Sequence, residues 1–136
     1  QDYGIRAELT STDRVSFHRY TFPGGDDSHI LFDIGNRQGE SGEVRDASVR
    51  LTDDGRIEGF VETYPEYVKK YQTGASVKMF FSAVIDKAPC SAGIFHGTVI
   101  QPDLKEASGP GAGLYLTFST KDKERAFIYV GRKCKA

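Results

Sequence analysis

Three tyrosines, Tyr64, Tyr67 and Tyr71, lie close together in the chain, with Glu62 just before them and Lys69 and Lys70 between the last two. Sugar rings present apolar C–H faces that stack on flat aromatic surfaces, and tyrosine hydroxyls, carboxylates and ammonium groups can hydrogen-bond their hydroxyls. This group is therefore the candidate substrate-binding surface, and its chemistry suits a carbohydrate. Tyr67 and Tyr71, spaced i, i+4, are read more readily as a pair of rings covering the end of an apolar core. The chain contains no Trp, the residue that most often supplies a sugar platform in lectin-like domains.

Other chemistry finds little support. His18, His29 and His96 stand on different candidate strands with no short ligand spacing between them. Asp26, Asp27 and His29 share one turn, but a Gly-Gly-Asp-Asp tip reads as a solvated loop rather than a cation site. Glycoside hydrolysis needs two carboxylates across a sugar. Of the 19 acidic residues, Glu40, Glu43, Asp53, Asp54, Asp122 and Glu124 fall at turns or on polar faces, so no catalytic residue and no metal ligand is assigned to this chain. Nucleophile-elbow, P-loop and dinucleotide-binding patterns are missing. Cys90 and Cys134 either pair, closing a loop of more than 40 residues, or remain two free buried thiols, the plainer reading. The sole Asn, Asn36, precedes Arg37 and Gln38 and forms no glycosylation sequon.

Composition narrows the partners. With 18 basic and 19 acidic side chains the net charge is -1, which gives no field to attract nucleic acid or an acidic membrane surface. No run approaches the roughly 18 consecutive apolar residues of a membrane helix. Gln1-Asp2-Tyr3 shows neither an initiator Met nor the features of a signal peptide, so the natural polypeptide is expected to begin upstream. A chain of 136 residues suffices for one β-domain, expected over residues 1–136 as a fragment of a larger multidomain enzyme.

The elements that must position these residues are strands. Apolar residues alternate with polar ones in Ile5, Ala7 and Leu9, in Ile30, Phe32 and Ile34, and in Ala47, Val49 and Leu51, each set expected to face a core. Asp53-Asp54-Gly55 predicts a tight hairpin leading to Ile57 and Val61. In the run Val77 to Ile85 both faces are apolar, which predicts a central strand covered on both sides and among the most buried. Further strands are expected at Arg14 to Phe22, Cys90 to Ile100, Leu114 to Thr120 and Arg125 to Val130, about nine in all. All five prolines fall between these runs. Gly35 to Gly42 and Gln101 to Gly113 read as flexible connections, and Pro65 to Gln72 as the one short helix. The expected fold is an all-β antiparallel sandwich.

Three segments carry a family likeness: GIRAELTST from Gly4 to Thr12, FHRYTFP from Phe17 to Pro23, and HILFDIGN from His29 to Asn36. A looser match continues through RIEGFVE at Arg56 to Glu62, VKMFFSAVIDKAP at Val77 to Pro89 and RAFIYVGRK near the end. In their order and spacing the chain resembles the N-terminal β-domain of glycoside hydrolase family 92, mostly exo-acting α-mannosidases. The resemblance implies a secreted or periplasmic, calcium-dependent, inverting α-mannosidase whose acid, base and calcium ligands lie in a helical catalytic domain of the same polypeptide. The β-domain would then be inactive alone, hold no cofactor itself, and lend residues to the rim of the pocket for a mannose-containing glycan, with the Tyr64 to Tyr71 loop the expected contact. Two other readings stay open: a free-standing carbohydrate-binding module, and a sandwich whose only role is structural or protein-binding. His18 and Arg19 are read as a structural hydrogen-bonding strip. An incomplete sandwich is also expected to self-associate through its exposed edges.

Overall fold

The computed structural model describes residues 3–121 and the backbone of 124–134, with side chains in that last segment at 125, 126 and 128–130. Alternation turns into eleven strands: β1 (Arg6–Ser11), β2 (Val15–Phe22), β3 (Gly25–Asp33), β4 (Glu43–Leu51), β5 (Arg56–Tyr64), β6 (Val77–Ile85), β7 (Ser91–His96), β8 (Val99–Pro102), β9 (Glu106–Ser108), β10 (Ala112–Thr120) and β11 (Glu124–Cys134). A single-turn 3₁₀ helix (Gly39–Ser41) precedes β4, and one short helix, α1 (Glu66–Tyr71), follows β5. Every strand pairing is antiparallel. The order β1-β2-β11-β6-β5-β4-β9 makes a seven-stranded sheet, and β3-β10-β7-β8 a four-stranded one. The fold is an all-β sandwich.

The core lies between the two sheets. The larger sheet contributes Val49, Ile57, Ala83, Ala126 and Ile128; the smaller contributes Ile30, Ile94, Leu114, Leu116 and Phe118. Central in the small sheet, β10 is the most deeply buried strand, because alternate residues from Ala112 to Thr120 point at the large sheet and are sealed there. One polar pair is enclosed with them. The hydroxyls of Ser28 and Thr120 meet at 2.8 Å, and Thr120 also bonds the Pro23 carbonyl at 2.9 Å, so burial leaves neither unsatisfied.

Several expectations change. Cys90 to Ile100 is broken at Gly97 (φ +57), where the chain reverses between β7 and β8. The connection from Gln101 to Gly113 is ordered by β9, which bonds to β4 and extends the large sheet. These two changes raise the expected nine strands to eleven. The apolar face of β1 is exposed: Leu9 is 64% accessible and Ile5, just before the strand, 39%, because β1 is the edge of a seven-stranded sheet that a four-stranded sheet cannot cover across its width. Likewise β6 is central in its sheet but covered on one side only, and Val84 on its outer face is 45% exposed. Cys90 is exposed rather than buried. The Cys134 side chain lies outside the described residues, and with it the question of pairing. The Asp53-Asp54-Gly55 hairpin forms as expected, with Gly55 at φ +81 and Thr52 N–H donating to the Arg56 carbonyl at 2.8 Å.

Candidate functional site

Loops from both sheets converge at one end of the sandwich around a cleft of about 680 Å³. Its walls are Asn36 and Arg37 after β3, Glu43 at the start of β4, Glu66 and Lys69 on α1, and His96 at the end of β7. Two glycines set the spacing of these loops. Gly35 N–H donates to the Ala112 carbonyl and Gly111 N–H to the Gly35 carbonyl, both at 2.8 Å, and a Cβ on Gly35 would lie 2.2 Å from the Ala112 nitrogen. Only glycine permits that approach. Gly42, at φ +81, packs against the Tyr64–Pro65 junction, where a Cβ would fall 2.3 Å from the Tyr64 carbonyl oxygen. This contact ties the loop before β4 to the start of α1.

The helix begins at Pro65, whose fixed φ of -62° and missing N–H suit a helix entrance. Lys69 Nζ donates to Glu66 at 2.9 Å across one turn, and this hydrogen bond holds the Glu66 carboxyl below its usual pKa. At the opposite wall, His96 Nε2 lies 2.9 Å from the Ser108 carbonyl oxygen, so the ring donates from Nε2. The cleft thus mixes planar and point-charge donors with carboxylate acceptors, a set that can hydrogen-bond the hydroxyls of a neutral polar ligand.

The three tyrosines divide. The Tyr64 hydroxyl accepts a bond from Gly74 N–H at 2.6 Å, while Arg45 and Lys69 lie 5.5 and 5.0 Å from its ring centroid. Its groups are spent on holding the loop, so Tyr64 orders the site without offering a free stacking face. Tyr67 and Tyr71 are 64% and 80% exposed; they do not cover the core end. They stand on a different side of α1 from Glu66 and Lys69, so the helix turns its charges to the cleft and its rings to solvent. Of the polar neighbours, Glu62 accepts a hydrogen bond from the Ser76 hydroxyl, and the Lys70 ammonium sits 5.5 Å from the Tyr71 ring.

The other singled-out groups stay apart. His18 bonds the Tyr20 hydroxyl at 3.0 Å, and Arg19 makes two 2.6 Å bonds to Glu8 on the opposite face, so both serve the sheet as read from the sequence. His29 bonds Thr117 at 3.1 Å, and Asp26 accepts from Ser119 at 2.6 Å. Among the described residues no three His, Cys, Asp or Glu side chains converge as a metal-ligand set. Arg37, Glu43 and His96 were not anticipated as cleft residues. The glycines flanking them, Gly35, Gly42 and Gly97, were the available signal, since they mark where backbones must meet or reverse.

Comparison with known proteins identifies the family and the fold. Residues 1–131 match the glycosyl hydrolase family 92 N-terminal domain. No curated protein matches the chain by sequence. Among solved structures, the chain is similar to the family GH92 α-mannosidase BT3965 from Bacteroides thetaiotaomicron, with a TM-score of 0.82 and 20% identity, covering 99% of this chain and 18% of that one. The family GH92 inverting mannosidase BT2199 from the same organism aligns with a TM-score of 0.77 at 14% identity, over 98% of this chain and 16% of that one. The chain therefore spans less than a fifth of the length of these proteins, and at such identities the likeness concerns the fold.

Proposed function

The chain belongs to the family of glycosyl hydrolase family 92 N-terminal domains, and on that premise we propose that it is the non-catalytic β-domain of a secreted or periplasmic, calcium-dependent, inverting exo-α-mannosidase. It packs on a helical catalytic domain of the same polypeptide and shapes the rim of the pocket for a mannose-containing glycan. The family match over residues 1–131 carries this reading, supported by solved α-mannosidases that contain the same fold within a much longer chain. Among the described residues no His, Cys, Asp or Glu cluster forms a donor set for the calcium that the family implies.

Two surfaces fit the role. The outer face of the small sheet is flattened by rings lying over glycines: a Cβ on Gly93 would come 2.3 Å from the Tyr115 ring, and one on Gly113 would come 2.0 Å from the Phe95 ring. Around them Leu31 and Ile100 are 62% and 67% exposed, an apolar surface suited to packing another domain. The end cleft, with Arg37, Glu66, Lys69 and His96, supplies the polar rim. Purified on its own and assayed on aryl α-mannosides and mannobiose with calcium, the chain should show no turnover; robust turnover would overturn the proposal.

A second reading is favoured by the exposure of Tyr67 and Tyr71: a free-standing carbohydrate-binding module with these rings as its platform. It requires saturable binding of mannose oligosaccharides that Tyr67→Ala or Tyr71→Ala weakens, and no binding at millimolar sugar would dismiss it.

A further inference from the structure

Strand register builds a second feature on the outer face of the seven-stranded sheet. Val15, Gly131, Ser82, Glu58, Arg50 and Glu106 are direct cross-strand partners in succession, so they form one straight row across β2, β11, β6, β5, β4 and β9. In the middle of the row are the two smallest residues, Gly131 and Ser82, and they make a low floor. The next row to one side carries Phe80 and Phe60, again direct partners, with ring centroids 5.8 Å apart. Lys78, one row beyond, brings its ammonium 3.8 Å from the Phe60 centroid and steadies that ring from the far side. On the other side of the floor stand Phe17 and Tyr129, paired edge to face at 4.0 Å, and Val84. A groove of about 720 Å³ runs across the strands over this floor, lined by the floor row and by Phe60 and Phe80, while Phe17, Tyr129 and Val84 stand outside its lining.

We infer that this groove is a second glycan-binding site, which takes a linear neutral oligosaccharide and is distinct from the cleft at the sandwich end. By register the Phe80–Phe60 row and the Phe17–Tyr129 row are four residues apart along the strands, roughly 13 Å at the usual rise, which admits one sugar chain lying across the sheet between them. Phe80 and Phe60 on one side and Phe17 and Tyr129 on the other offer apolar edges to pyranose C–H faces. At the β4 end the row becomes polar, where Arg50 donates to Glu58 at 3.1 Å and Arg56 lies 3.9 Å from the same carboxylate. These groups are paired with one another and still open to solvent, so they can bond hydroxyls without leaving a charge uncompensated. The same feature argues against a protein occupant, since the centres of protein interfaces are depleted of charge. The apolar outer face of the small sheet shows the contrast.

The choice of a mannose glycan as probe rests on the proposed function, whereas the groove rests on register. Gly131 provides the test: its φ is unexceptional and a Cβ there meets only the Ser82 carbonyl oxygen at 3.7 Å, so Gly131→Val fills the floor without strain in a strand that favours valine. Titrating the ¹⁵N-labelled chain with a linear α-mannotetraose should move amides at 58–60, 80–82 and 129–131. Gly131→Val should weaken binding by about tenfold or more. Ser82→Leu is the second variant, used if the first loses the wild-type spectrum. Shifts confined to 35–37, 66–71 and 96–97 would overturn the groove while leaving the pocket-rim proposal standing. No shift at millimolar sugar, or binding indifferent to both floor variants, would overturn it outright. Turnover by the isolated chain bears on the other proposal alone.

Discussion

Glu8 and Arg19 pair directly across β1 and β2, and their two 2.6 Å bonds fix the outer face of the sheet edge. The Arg19 guanidinium holds the Glu8 carboxyl below its ordinary pKa, and Arg19 is raised in return, so the two shifts agree. A carboxyl with a depressed folded pKa stabilises above its unfolded value and loses that contribution as pH falls through the folded one. Glu8→Gln should therefore lower Tm at neutral pH, and the difference from the wild type should close as acid titrates the carboxylate; thermal melts against pH read this directly. Gly42→Ala is expected to cost more than about 1 kcal/mol, since it adds a clash with the Tyr64 carbonyl to a positive-φ penalty, measurable by denaturant unfolding. The sequence disclosed the tyrosine cluster but not its division of labour. Which ring is pinned by Gly74, Arg45 and Lys69 depends on where a neighbouring loop returns, and no local pattern encodes that.

Among the elements, β10 is the keystone. Leu116 is sealed between the sheets, and Leu116→Ala should destabilise by about 2–5 kcal/mol through lost burial and a residual cavity, whereas the exposed Leu9 on β1 should tolerate the same change. Edge strand β1 carries apolar Leu9, with Ile5 just before it, on a face that the smaller sheet does not reach. Concentration-dependent self-association is the expected consequence, visible in size-exclusion chromatography and relieved by Leu9→Lys; strictly monomeric elution at all concentrations would contradict it. Strand identity was legible because period-two alternation and proline placement are local signals. Which face would be covered was not. Ile5, Ala7 and Leu9 alternate as cleanly as Ala47, Val49 and Leu51, and only sheet width and strand order separate an exposed stripe from a buried one. The crossings that put β11 between β2 and β6, and β10 between β3 and β7, are non-local and leave no mark within any one strand.

At the scale of the molecule, three surfaces have different chemistry: an apolar sheet face around Leu31 and Ile100, a charged end cleft around Arg37 and Lys69, and a cross-strand groove floored by Gly131 and Ser82. In the proposed role the first would dock another domain and the second would border a sugar pocket; the chain spans under a fifth of the mannosidases sharing its fold. If the cleft borders the sugar pocket as proposed, removing its charges within a parent enzyme, as in Lys69→Ala, should raise KM more than it lowers kcat. The most direct trial compares two constructions of that parent enzyme, one whole and one lacking the segment equivalent to residues 1–131, on mannobiose with calcium present. Loss of turnover on excision, with restoration when the β-domain is supplied as part of the same polypeptide, is the outcome this account predicts. Equal turnover by the excised helical portion, at the same KM, would contradict it.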